Sequence, residues 1–233
     1  YRKKLFRLCK RGTIMEMTSE LILSIKDTII MVSIPTLCAV LIGIPIGSLL
    51  YLTRRGSIKE NVFIYAPLNI YVNVVRSFPF LIFVVVLIPL TRMVFGTAFG
   101  LMPAAFPICF IAVALYSRFV EQSFHDVNYG IIEAALSMRA SVFQIIWYFL
   151  LVEARSSLVL GLTSSIISFI SYSTVMGIVG GGGIGDYAMR YGYYEYNYKL
   201  VYEVVLIMIF IVFTIQFLGN YISKKIDKRR RDF

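Results

Sequence analysis

Long apolar runs separated by short polar stretches dominate the chain. Five of them, at roughly 28–52, 62–90, 98–116, 158–179 and 201–222, are long enough to cross a bilayer as helices. A hydrocarbon core of about 30 Å takes about 20 helical residues. Pro and Gly recur inside the runs, at Pro35, Gly43, Pro45, Gly47, Pro79, Pro103 and Pro107. In a soluble helix they would be breakers. In a membrane helix the neighbours re-satisfy the freed backbone groups, and small residues let helices approach closely. The pattern predicts an all-α integral membrane protein with five transmembrane helices.

Composition agrees. The 233 residues are 58% hydrophobic and only 15% charged, with a mean hydropathy of +0.78, too few charges to cover a soluble domain of this length. The net charge of +10 would point to nucleic acid in a soluble protein. Here the basic residues sit beside apolar runs, where they orient the chain in lipid, and no nucleic-acid partner is expected. Cys9, Cys38 and Cys109 have no metal-ligand spacing and form no even set, so free buried thiols are expected. Residues 1–11 are basic and no small-residue cleavage motif follows, so no cleaved signal peptide is expected.

Charge also assigns sides. With five spans and a cytoplasmic C-terminus, the inner segments carry Arg54, Arg55, Lys59, Arg118, Arg139, Arg155, Lys224, Lys225, Lys228, Arg229, Arg230 and Arg231, twelve in all. The outer loops carry three, Arg92, Arg190 and Lys199. Basic residues prefer the cytoplasmic side. The tail disagrees, because Arg2, Lys3, Lys4, Arg7, Lys10 and Arg11 would lie outside. A start at Met15 or Met17 would remove the conflict. The expected organisation is a basic tail of uncertain status at 1–19, a transmembrane domain at 20–225 and a basic cytoplasmic tail at 226–233.

The longest polar connection, 118–157, is expected on the cytoplasmic side and is helical in pattern. Ile131, Ile132, Ala135 and Met138 form a stripe, and Ser141-Val142-Phe143-Gln144 reads as a capping box opening a second helix. Such a pair either docks a partner or rests on lipid.

The inventory of chemistry is short. The five runs contain no Asp or His, and their one Glu is Glu203; the one His, His125, falls in the polar connection. An ion-coupled carrier needs intramembrane carboxylates, and a hydrolase needs a nucleophile with its base or a metal cluster. No metal, cofactor or catalytic residue is expected, so energy must come from another chain. Gly180-Gly181-Gly182-Gly183-Ile184-Gly185 satisfies G-x-G-x-x-G, but it follows a membrane helix rather than a strand and lacks the Lys-Ser/Thr of a phosphate loop. It reads as a tight turn with close packing. Ser164, Ser168 and Ser171 share one helical face in the fourth run, with Tyr172 and Met176 beyond them. A hydroxyl face either lines a polar pathway or binds a neighbouring helix. Arg76, just before Phe78-Pro79, either lines the route or snorkels to an interface.

Glu133-Ala134-Ala135-Leu136-Ser137-Met138-Arg139-Ala140, with Gln144-Ile145-Ile146 and Leu150-Leu151-Val152-Glu153-Ala154, resembles the EAA loop of binding-protein-dependent ABC importer permeases. Gly43-Ile44-Pro45-Ile46-Gly47, Arg76-Ser77-Phe78-Pro79-Phe80, the glycine-rich run and Arg190-Tyr191-Gly192-Tyr193 resemble the methionine branch of that family. The resemblance implies the type I ABC importer permease fold in the bacterial inner membrane, as a homodimer. It further implies two copies of an ABC ATPase subunit and an extracytoplasmic substrate-binding lipoprotein as partners. Carried over residue by residue, Glu133, Ala134, Ala135, Met138, Arg139, Ala140 and Ser141 would meet the ATPase. The candidate translocation path is Arg76, Ser164, Ser168, Ser171, Tyr172 and Met176. A permease for another amino acid or small peptide, and a non-transporting scaffold with a drifted loop, are the competing readings. The chain departs from the family at Arg139, where Gly is usual, and at Val152, where Pro is usual. Either Arg139 accepts a left-handed conformation, at about 1–2 kcal/mol, or the turn is reshaped.

Overall fold

A computed structural model describes the backbone of residues 2–227 and the side chains of residues 17–227. The side chains of the basic tail, Cys9 and the basic run 228–231 lie outside the described residues. The first span is one long helix: α1 (Arg2–Cys38) passes through a π-type turn, Ala39–Gly43, into α2 (Ile44–Thr53). The turn sits just ahead of Pro45, which has no N–H to donate to Leu41. The apolar stretch Met17–Thr53 has 37 residues, about 55 Å of helix, and so extends past the hydrocarbon or tilts.

The second apolar run is not one straight helix. α3 (Val62–Ser77) and α4 (Phe80–Phe95) meet at a 116° bend. Pro79 donates no hydrogen bond and holds the preceding Phe78 extended, at φ −74° and ψ 134°, so the helical ladder stops there. Gly96, left-handed at φ 74°, ends α4 through its N–H to Arg92 O at 2.8 Å. α5 (Leu101–His125) follows, then the short α6 (Tyr129–Ser137). α7 (Val142–Gln144), a π turn at Ile145–Leu150 and α8 (Leu151–Glu153) form one further short segment. α9 (Arg155–Met176) continues through a π turn to Gly181, and α10 (Gly183–Tyr187) folds back before α11 (Tyr198–Ile226). Four spans are unbroken, and the bent pair makes a fifth.

The helices run beyond the apolar runs that mark them in sequence. Their longer bounds carry Asp27, Glu121 and His125 on the span helices, beyond the apolar runs themselves. Hydropathy marks only the lipid-immersed part of a helix, and polar residues on its inner face or at its ends escape it.

α5 is the central element. Ala104, Ala105, Ile108, Ala112, Val120 and Phe124 are buried along it, and α1, α2, α3 and α9 pack around it. Lipid is as apolar as leucine, so close fit rather than water exclusion holds the helices together. A Cβ on Gly47 would lie 2.5 Å from Ser117 O, which is why α2 reaches the α5 backbone. Large side chains on the outer face of α11, Phe210, Phe213 and Phe217, are exposed.

The glycine-rich run builds the other tight crossing. A Cβ on Gly185 would collide with Thr174 O, and one on Gly177 with Asp186 N. Gly183, at φ 81°, lets the Ile184 N–H donate to Thr28 Oγ1 at 2.8 Å, and the Tyr187 hydroxyl donates to Met17 O at 3.1 Å. The folded-back segment is thereby fixed to the first span. Backbone contact leaves no flexible side chain to yield, so Gly185→Ala is expected to destabilise the chain by about 1–3 kcal/mol. An unchanged melting temperature of the detergent-solubilised variant would show that the close crossing is dispensable.

Candidate functional site

Two regions carry the residues singled out from sequence. The first is the projecting pair that follows α5. Asn128 Oδ1 accepts from the Gly130 N–H at 2.9 Å and caps α6. Ile132 and Ala135 turn inward and join the cluster that holds Phe124 and Ile145. At the C-terminus the Ala140 N–H donates to Ala135 O at 3.0 Å and the Arg139 N–H to Leu136 O at 2.9 Å. These are the paired bonds of a Schellman turn, which needs a left-handed residue between them. Arg139 supplies it at φ 57°. The turn keeps its form and Arg139 accepts the conformation. Next, Ser141 Oγ accepts from the Gln144 N–H at 3.3 Å and the Ser141 N–H donates to Gln144 Oε1 at 2.7 Å, the capping box expected there.

This geometry sorts the candidate contact residues. Glu133, Ala134, Met138, Arg139 and Ser141 are exposed, Ala140 is half-buried, and Ala135 is fully buried against its own bundle. Met138 therefore leaves the stripe that the periodicity assigned it to, because α6 ends at Ser137 and its helical phase stops there. An apolar edge missed in the sequence lies beside these residues. Phe143 and Trp147 pack ring to ring at 5.8 Å, and both are exposed together with Tyr148. The polar connection begins at Asp126 rather than 118, since α5 runs through His125. His125 sits at the helix end, its Nε2 3.0 Å from Arg54 Nη1, above a cavity of about 340 Å³ lined by Tyr51, Tyr129, Ile132 and Leu136.

The second region is the membrane-embedded set. Ser164 and Ser171 are exposed and Ser168 is half-buried on one face of α9. Ser168 Oγ donates to Ser164 O at 3.1 Å and Ser171 Oγ to Ile167 O at 3.3 Å, so both hydroxyl protons are satisfied within the helix while the oxygens remain as acceptors. The Tyr172 ring stacks on Phe80 at 4.5 Å, joining α9 to the first turn of α4 beyond the bend. Met176 is buried in the main core. Arg76 is exposed on the last turn of α3.

Reasoning from apolar runs missed a polar cluster between α3 and α5. Arg118 Nη1 donates to Glu121 Oε2, and Nη2 to Asn73 Oδ1 at 2.9 Å and Asn69 Oδ1 at 3.3 Å. Asn73 Nδ2 donates to Asn69 Oδ1 at 3.2 Å. The i, i+4 spacing of Asn69 and Asn73, and i, i+3 of Arg118 and Glu121, were available as signals. Cys38 and Cys109 are free and half-buried rather than fully buried. Among the described residues no group of three or more His, Cys, Asp or Glu could hold a metal. At the glycine-rich end, Asp186 binds Arg190 and raises its pKa, and the hydrogen bond to Glu20 raises that of Tyr191.

A helical bundle with a broken span, a hydroxyl-bearing span and two capped short helices projecting from it is a multi-pass membrane transport subunit. The model of the family described as "Binding-protein-dependent transport system inner membrane component" matches residues 43–232, and the chain belongs to that family. It is a multi-pass inner-membrane protein and a permease subunit. A protein named probable D-methionine transport system permease protein MetI, from Vibrio cholerae serotype O1, is 35% identical over 91% of this chain and 95% of its own length. The methionine import system permease protein MetP of Bacillus subtilis is 37% identical over 78% of this chain and 82% of its own. A solved structure, titled as an inward-facing conformation of the MetNI methionine ABC transporter, matches with a TM-score of 0.88 at 36% identity. It covers 91% of this chain and 98% of its own.

The Schellman turn yields a stability test. Arg139→Gly removes a left-handed cost of about 1–2 kcal/mol and adds about 0.4–1 kcal/mol of unfolded-state entropy, so a small rise in melting temperature is expected. Arg139→Val should lower it, because a β-branched residue fits the left-handed region poorly. A fall with glycine would show that the Arg139 side chain contributes more than the turn costs.

Proposed function

We propose that this chain is the membrane-spanning subunit of an ATP-driven importer for methionine, working as a homodimer with two ATPase subunits and an extracytoplasmic substrate-binding lipoprotein. The observation that carries the reading is the exposed α6–α7 corner on a chain similar over most of its length to methionine permeases. Glu133 and Ala134 face outward on α6, and a helix with small side chains can enter a groove closely. The ATPase subunit supplies that groove and drives the two copies between inward- and outward-facing states. Five spans are too few to enclose a solute path comfortably, which supports a second copy.

Methionine is a zwitterion, and a wholly apolar passage would strip its charged ends of partners. The path follows Ser164, Ser168 and Ser171, whose oxygens face out of the chain, and passes Tyr172 and Arg76 beside the bend. The C-terminus and the α6–α8 segment lie on the cytoplasmic side, supported by the twelve-to-three distribution of basic residues with the bent pair crossing once.

Ala134→Trp should abolish uptake of radiolabelled methionine and ATPase co-purification in cells lacking other methionine importers, while membrane insertion continues. Normal uptake by that variant would move the contact elsewhere. Uptake of another amino acid or a small peptide in place of methionine would redirect the substrate, and no uptake at all would favour a scaffold.

Sidedness and path are read together by single cysteines in a background without Cys9, Cys38 and Cys109. With a membrane-impermeant thiol reagent on intact cells, cysteine at Arg55 or Lys225 should be shielded and cysteine at Gly96 should react. Ser168→Cys should be reached by small polar reagents in at least one nucleotide state. Labelling at Lys225 without permeabilisation would invert the topology, and a Ser168→Cys inert in every state would assign the hydroxyls to helix packing.

A further inference from the structure

We propose that Arg118, held by Glu121, Asn69 and Asn73, is a station on the solute path that receives the carboxylate of a zwitterionic amino acid; this rests on the importer reading above. Arg118 lies seven residues before the end of α5, about 10 Å along a helix of 25 residues, near the end that the importer reading places at the cytoplasmic side. Its side chain is 23% exposed and that of Glu121 is 5% exposed.

The guanidinium is oriented but not saturated. Of its five N–H donors, one binds Glu121, one Asn73 and one Asn69, leaving two free among the described residues. The remaining donors, Nε–H and one Nη1–H, point along different edges of the guanidinium, and each can take a single carboxylate oxygen. At rest the Arg118–Glu121 pair is neutral and requires no bound counter-ion. When a zwitterion arrives, its carboxylate shares the guanidinium, and the Glu121 and Asn oxygens are acceptors for its ammonium group.

Holding α3 against α5 does not call for charge. An apolar pair of similar volume would pack the two helices without desolvating an ion pair, and such replacements are often neutral or stabilising. What an apolar pair cannot do is receive a charged group.

The surroundings support the same direction. Asn69, Asn73 and Arg76 stand at i, i+4 and i+7 on α3 and lead to the bend at Phe78-Pro79. Asn73, Arg76 and Ser77 are exposed. The exposed guanidinium of Arg76 would be costly against hydrocarbon, so this face borders water or the passage between two copies.

The test uses the complete chain with its ATPase and binding protein in proteoliposomes. Arg118→Gln, and the double replacement Arg118→Met with Glu121→Leu, are each expected to lower methionine uptake at least tenfold while the ATPase still co-purifies. A purely structural pair behaves differently: the single variant strands Glu121 and fails, and the double variant recovers. Recovery of uptake in the double variant overturns the proposal and leaves the importer reading intact. Absence of uptake in the wild type removes the importer reading, and this inference with it. A second measurement does not depend on how those variants assemble. Asn73→Cys, with Cys9, Cys38 and Cys109 replaced by Ala, should react with a small charged thiol reagent, and methionine should slow the reaction several-fold. A cysteine unreactive in every nucleotide state overturns the station.

Discussion

A bilayer core offers no hydrogen-bond partners, and every backbone amide in it must find one inside the protein. The rest of this structure follows from how the chain meets that constraint. Where nothing interrupts the ladder, the spans are helices of 25 to 37 residues. Where prolines interrupt it, the response depends on local context. Pro35, Pro67, Pro89 and Pro107 are absorbed within helices, Pro45 is preceded by a widened π turn, and Pro79 ends a helix outright. The break at Pro79 falls beside Arg76 and the Tyr172–Phe80 stack, which joins α4 to α9 just past it.

The same constraint sets how helices cohere. Burying apolar area gains little when the alternative is lipid, so contacts rely on close approach. Glycines at 47, 177 and 185 bring backbones together where even a methyl group would not fit. The glycine-rich run is therefore a structural hinge between α9 and α10 rather than a phosphate loop. Thr28, by accepting from Ile184 while donating to Ser24 O, ties this crossing to the first span, and Tyr187 adds a second link to Met17 O.

Function is laid on this frame at two levels. Outside the lipid, α6 and α7 meet at a Schellman turn followed by a capping box, which fixes the angle of an exposed corner without a large core of its own. Inside, polar groups gather on α9, on the α3 stripe and in the Arg118 cluster, with single back-bonded hydroxyls such as Thr36, Thr91 and Thr214 on the other spans. The α9 serines are satisfied by back-bonding within the helix, and the Arg118 cluster by its ion pair and two amides.

By itself the sequence determined the class of fold, the apolar spans, the helical polar connection and its capping box. These depend on local composition and periodicity, and hydropathy responds to the solvent each segment meets. Glu133, Ala134 and the serine face were legible for the same reason. The bend at Phe78-Pro79 was signalled only as a proline, because whether a membrane helix kinks or breaks depends on which neighbours shelter the freed groups. The inward turn of Ala135, the left-handed Arg139 and the contact of His125 with Arg54 were decided by tertiary packing. So was the Arg118 cluster, which joins residues 45 and 49 positions apart in the chain. No local pattern encodes a hydrogen bond of that separation; it forms because packing brings α3 alongside α5.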